Sequence, residues 1–181
     1  MSFELIVGPM FSGKTDELIR RLAAADAKGL RTAAAKPSAD VADPGWIVSL
    51  SGARRRAVSL PSADDLVELA RGRDVVGVDE IEFFDPEIVE AVRTLAAKLR
   101  VVAAGLDLDF RGEPFGPMPA LAELADELTV LTATCAVCGG VATRSQRLID
   151  GRPARRDSPT VQIGGRELYE PRCERDHAVD P

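Results

Sequence analysis

Gly8-Pro9-Met10-Phe11-Ser12-Gly13-Lys14-Thr15 satisfies G-x-x-x-x-G-K-[ST] at every defined position. The apolar run Phe3 to Val7 leads into it, and Asp16 to Lys28 follows with Leu18, Ile19 and Leu22 at helical spacing, so the octapeptide reads as the loop of a strand–loop–helix unit. In such a loop the glycines let the backbone fold tightly enough for N–H groups to converge on phosphate oxygens at a helix N-terminus. Gly8 and Gly13 serve that need, with Pro9, Met10, Phe11 and Ser12 forming the cradle between them. Lys14 would bridge the β- and γ-phosphates of ATP, and the Thr15 hydroxyl would coordinate Mg²⁺.

Outward from this unit the chain alternates strands and helices. Arg31 to Lys36 reads as a strand and Pro37 to Gly45 as a loop. Trp46 to Leu50 and Ala57 to Leu60 read as a hairpin turning around Gly52 and the arginines Arg54 to Arg56. Ser62 is an N-cap for a helix to about Gly72. Asp74 to Val78 and Arg100 to Leu106 are buried-strand patterns, separated by a helix beginning at Asp85-Pro86. Asp107 to Pro119 is rich in Gly and Pro and reads as a shaped loop, followed by a helix to about Asp126 and a strand from Leu128 to Thr134. Strand–helix alternation of this kind predicts a parallel α/β sheet. The style changes beyond Cys135. The expected division is 1–133 for nucleotide binding and 134–181 for a small subdomain.

Within the first region, Val75 to Val78 runs straight into Asp79 and Glu80, which places two carboxylates at the carboxyl end of a buried strand, where parallel sheets bind ligands. Asp79 suits the second magnesium contact. Glu80 points the other way if the strand persists and is free to act as a base, although Glu82 and Asp85 are further acids nearby.

There are three cysteines, an odd number that argues against a disulfide framework. Cys135 and Cys138 have the two-residue spacing of a zinc knuckle, and Cys173 with His177, the sole histidine, completes a Cys3His structural set. Asp176 is a rival oxygen ligand. A redox role for Cys135 and Cys138 would want a βαβ setting that this part of the chain lacks.

Hydrophobic residues make up 45% of the 181 and charged residues 29%, so a buried core is expected. A net charge of -6 disfavours nucleic acid as the main partner. No stretch approaches the roughly 18 apolar residues of a membrane span, and the start lacks a leader pattern, so no membrane partner and a cytoplasmic location are expected.

The blocks GPMFSGKT, VDEIEFFD, AGLDLDFRGEPFGPMP, CAVCG, ATRSQRLIDG and IGGRELYEPRC together resemble the small zinc-containing thymidine kinases of bacteria and animals. The resemblance covers almost the whole chain. It implies a RecA-like P-loop parallel sheet with helices on both faces, plus a small zinc-containing domain whose lasso loop closes over the nucleoside. It implies thymidine as acceptor, a homotetramer, and feedback inhibition by thymidine triphosphate. Glu80 matches the general base. Met10, Phe83, Leu106, Phe110 and Tyr169 match positions around the thymine, and Gln162 to Tyr169, including Ile163, Gly164 and Gly165, match the lasso segment whose backbone binds the base.

The zinc tail is one residue longer than the common CxxC or CxxH ending of the family, and three further departures from the family pattern stand out. Asp40-Val41-Ala42-Asp43 lacks the arginine of Asp-x-Arg-Tyr, Ser49-Leu50 replaces Ser-His, and Glu82 replaces the usual Gln. Each removes a polar contact or adds negative charge near phosphates, with Arg54, Arg55 or Arg56 as candidate substitutes. Two other readings follow: a nucleotide-binding sensor or scaffold of the same fold that has lost efficient transfer, and a P-loop ATPase that handles DNA, which the net charge disfavours.

Overall fold

The computed structural model describes residues 1–162 and 164–181. Its centre is a six-stranded parallel sheet built from β1 (Ser2–Val7), β2 (Thr32–Pro37), β5 (Val58–Leu60), β6 (Val75–Val78), β7 (Arg100–Gly105) and β8 (Glu127–Val130), in the order β5-β2-β6-β7-β1-β8. Side chains alternate across each strand, and the two faces are covered separately. On one face Phe3, Leu5, Val7, Val76, Val78, Val101 and Ala103 pack with residues of α2 (Ala63–Leu69), α3 (Ile88–Ala96) and α4 (Met118–Leu124). On the other, Ile6, Val75, Val102 and Ala104 meet Leu18, Leu22 and Ala25 of α1 (Lys14–Ala27). Burial on both faces is why these strands read as near-continuous apolar runs. Gly77 is required by that packing, because a Cβ there would lie 2.4 Å from Leu22 Cδ1.

Two sequence expectations change. The arginines Arg54–Arg56 are themselves a strand, β4, pairing antiparallel with β3 (Trp46–Val48), while Val58–Leu60 leaves the hairpin to join the main sheet beside β2. A run of arginines tolerates the edge because guanidinium groups stack: Arg54 and Arg56 lie 4.3 and 5.1 Å from the Trp46 ring centre. The expected strand from Leu128 to Thr134 is split, ending at Val130 in the main sheet and resuming as β9 (Ala133–Thr134), which pairs with β10 (Val141–Ala142).

Beyond β10 lie β11 (Arg144–Ile149), β12 (Arg152–Pro153) and β13 (Tyr169–Arg172), a three-stranded antiparallel sheet in the order β12-β11-β13. The loop after β7 folds back on itself, with Asp109 N donating to the Glu113 carbonyl at 2.8 Å and Phe115 N to the Asp107 carbonyl at 3.1 Å.

Candidate active site

The loop after β1 owes its shape to glycine. Gly8 has φ 147° and a Cβ there would come 2.3 Å from the Leu131 carbonyl oxygen, whereas Gly13, at φ 88°, caps α1 in the left-handed region. Phe11 adopts φ 66°, a conformation costly for a bulky residue and of the kind concentrated at ligand-binding loops. Lys14 is buried and its ammonium donates to the Pro9 carbonyl at 2.9 Å.

Thr15 Oγ1 donates to Asp79 Oδ1 at 3.4 Å, joining the start of α1 to the end of β6. Burial, and then the charge of Glu80, push the Asp79 carboxyl up to about 7, while Thr15 and Lys14 oppose the shift. A divalent cation held by Thr15 and Asp79 fits this donor pair, because it would replace the missing counter-charge.

Glu80 does not continue the strand. It takes φ 52° and ψ 41° and opens a 3-10 turn over Ile81–Phe83. The expected opposition of Asp79 and Glu80 by strand alternation is therefore replaced by a left-handed kink, a strain of about 1–3 kcal/mol that the packed strand behind it sustains.

Glu82, expected to add charge near the phosphates or compete as base, is 2% exposed, with neither carboxylate oxygen hydrogen-bonded among the described residues. Its Oε2 occupies the space beside Gly105 that a side chain would need, since a Cβ there would lie 2.5 Å from it. Burial and the Glu80 charge raise its pKa well above the usual carboxylate range. Burial thus favours its neutral form, outside the lining of the cavity.

These elements open onto one cavity of about 600 Å³. Met10, Phe11, Gly13, Lys14 and Thr15 line it from the loop after β1 and the start of α1, Asp79 and Glu80 from the end of β6, and Phe83, Leu106, Phe110, Gln162, Gly164, Gly165 and Tyr169 from later in the chain. Gly8, Pro9 and Ser12 support the loop from outside the lining. Ile163 lies outside the described residues. The loop after β1 is joined to β11 where Met10 N donates to Ser145 Oγ at 2.9 Å.

Lys36 is 2% exposed, lines the cavity, and its ammonium contacts Asp40 Oδ2 at 3.0 Å and the Ala42 carbonyl. None of Arg54, Arg55 and Arg56 lines the cavity, and Arg55 is drawn away to Asp26 at 2.7 Å. Lys36, Ser145 and Arg147 line the cavity without having been assigned to it from sequence. Their strand patterns carry no signal of function, and an arginine in a strand ordinarily reads as exposed.

The cysteines gather with Asp176 rather than with His177. Cys135, Cys138, Cys173 and Asp176 bring one donor atom each to within 4.8 Å of one another. His177 is not among them: its Nε2 lies 2.9 Å from the Phe110 carbonyl. The reason is turn geometry. Asp176 N and His177 N both bond back to the Cys173 carbonyl, and this tight turn returns the third residue, not the fourth, to the side of Cys173. Cys138 and Cys173 Sγ are 3.8 Å apart, and Asp176 Oδ2 is 3.4 and 3.2 Å from the sulfurs of Cys135 and Cys173. A tetrahedron with zinc–sulfur bonds of roughly 2.3 Å has sulfur–sulfur edges of about 3.8 Å, so the donor set fits zinc.

The family model for thymidine kinase matches residues 1–177. The chain belongs to the thymidine kinase family. A thymidine kinase of Coprothermobacter proteolyticus is 51% identical over 178 residues, spanning 97% of this chain and 90% of that relative. Among solved structures, the genome packaging NTPase B204 of Sulfolobus turreted icosahedral virus 2, bound to ATP-gammaS, aligns at a TM-score of 0.46 and 18% identity, covering 71% of this chain and 73% of that one. A likeness of that size carries no argument about this kinase-family chain. The family match carries it.

Proposed function

We propose that this protein transfers the γ-phosphoryl group of ATP to the 5′-hydroxyl of thymidine, giving thymidine monophosphate and ADP. The observation that carries this reading is the single cavity shared by Lys14, Thr15, Asp79 and Glu80 and by Phe83, Leu106, Phe110 and Tyr169. A phosphate cradle and apolar, aromatic residues suited to a base thus open onto the same cavity as Asp79 and Glu80.

Lys14 and the N–H groups at the start of α1 bind the phosphates and stabilise the charge that spreads over them during transfer. Thr15 and Asp79 hold Mg²⁺, which when bound neutralises phosphate charge. Glu80 accepts the proton of the thymidine hydroxyl as that oxygen attacks the γ-phosphorus. Backbone groups of Gln162, Gly164 and Gly165 read the thymine edge, since leaving buried amides unpaired penalises the wrong base. Cys135, Cys138, Cys173 and Asp176 hold a structural zinc that fixes the hairpin of β9 and β10 to the turn after β13.

The same reading treats 1–133 as the nucleotide-binding unit and 134–181 as the lasso unit. It places the enzyme in the cytoplasm as a homotetramer inhibited by thymidine triphosphate. No helix among the described residues is long and apolar enough to cross a membrane.

The test is ATP consumption with each common nucleoside in turn. Thymidine should stimulate it strongly in the wild type and not in Lys14→Ala. Stimulation absent with thymidine, or equal in the two proteins, would overturn the assignment.

A further inference from the structure

Arg147 is 2% exposed, yet among the described residues it makes no ion pair. A guanidinium taken out of water without a carboxylate is costly, so its place has to be sustained by other contacts. Its hydrogen bonds go outward to the segment that follows β12. Nη2 donates to the Thr160 carbonyl at 2.6 Å, Nη1 donates to the Pro159 carbonyl, and Nε donates to the Tyr169 hydroxyl at 2.9 Å. That hydroxyl in turn donates to the Gln162 carbonyl at 2.7 Å. The guanidinium carbon lies 4.0 Å from the Phe110 ring centre and 5.3 Å from that of Tyr169.

A second arginine works the same segment. Arg111 lies 4.4 Å from the Phe110 ring centre, with Nη1 paired to Asp109 at 2.7 Å. Its Nε donates to the Arg156 carbonyl at 2.7 Å, Nη2 to the Ser158 carbonyl at 2.6 Å, and Nη1 to Thr160 Oγ1 at 3.0 Å. Two guanidiniums stacked on one aromatic ring therefore gather backbone oxygens of residues 156, 158, 159, 160 and, through Tyr169, 162.

We propose that Arg147, with Arg111 as its outer partner, is a positioning residue that holds segment 156–162 in place along the nucleoside cavity. The proposal rests on the thymidine kinase reading of that cavity. Arg147 acts on the base site through Gln162 and Tyr169 and leaves the phosphate cradle alone. A planar fork with several donors can hold three acceptors at once, which a lysine ammonium on a flexible stem does not reproduce in that geometry. A loop ordered in advance spares substrate binding the cost of ordering it.

The decisive variant is Arg147→Lys, with steady-state kinetics and amide hydrogen exchange read on the same preparation. The KM for thymidine should rise at least about tenfold while the KM for ATP and kcat at saturating thymidine stay within about threefold, because misplaced substrate contacts act on binding of the base. Exchange of the amides of 157–168 should accelerate by about tenfold or more, with those of β1 and β7 unchanged, as expected for opening of one local unit. A thymidine KM and exchange both within about twofold of wild type, or parallel rises in both KM values, would overturn the proposal.

Should Arg147→Lys fail to fold, Arg111→Gln decides the matter. It should show the same pattern at about a third of the size, because its Asp109 pair and stack lie nearer solvent, and the absence of both effects would overturn the clamp. A wild-type enzyme inactive on thymidine would instead sink the functional reading, and the exchange result would still judge the clamp.

Discussion

The two sides of the cavity are held by different physics. The side proposed to bind phosphate is carried by two short runs at the end of a buried parallel sheet: Gly8 to Thr15 after β1, and Asp79 with Glu80 after β6. Its geometry follows from strand packing and from backbone conformations that glycine allows. The side proposed to bind the base is assembled from residues far apart in the chain, Phe110 with Arg147 and Tyr169, and the four donors of the cysteine cluster likewise come from two separate turns. The first side is robust because the core enforces it. The second depends on a few polar and ligand contacts.

The contrast breaks most forcefully at Glu80, where both sides meet. Glu80→Gln should lower turnover by roughly two to four orders of magnitude with ATP binding retained, since the nucleophile loses its proton acceptor and the cradle is untouched. Measured kcat near the wild-type value would place the base elsewhere.

A smaller effect separates the two sides. Purified protein should carry about one zinc per chain, and Cys138→Ala should lose it, because a tetrahedral site seldom survives with three protein ligands and no replacement. Elemental analysis gives the stoichiometry, and hydrogen exchange should show 134–181 deprotected while β1, β6 and β7 stay protected. Full zinc retention in the variant, or equal deprotection of the sheet, would erase the distinction drawn here.

The smallest effect sharpens the phosphate side. Glu82 has a folded-state pKa well above its ordinary value of 4.5, so the folded protein holds that proton more tightly than the unfolded chain does. Stability from this group is therefore fully present below pH 4.5 and falls as pH rises toward the folded value. The loss is about 1.4 kcal/mol per pH unit within that window. Glu82→Gln should flatten the decline of Tm between about pH 5 and pH 7. Parallel Tm curves for the two proteins would mean that Glu82 ionises freely when folded.

Most of the sheet was legible from apolar runs, because parallel strands buried on both faces leave little room for polar residues. The exceptions are instructive. Arg54–Arg56 read as a turn because charge suggests exposure, but cross-strand stacking on Trp46 lets them form β4. Leu128 to Thr134 read as one strand because nothing local marks the point at which it leaves the main sheet for β10.

By itself the sequence determined the glycine-rich loop after β1, the acid pair after β6 and the Cys135–Cys138 knuckle, because each is a short run whose chemistry depends on neighbours in the chain. Tertiary structure alone decided which residue joins the three cysteines, since Asp176 and His177 differ only in which way a tight turn directs them. It also decided the state of Glu82, whose proton is held by burial against Gly105, and the work of Arg147, whose acceptors lie 12 to 22 residues away along the chain. Desolvation and long-range hydrogen bonds are properties of what surrounds a side chain, and no spacing along the chain records them.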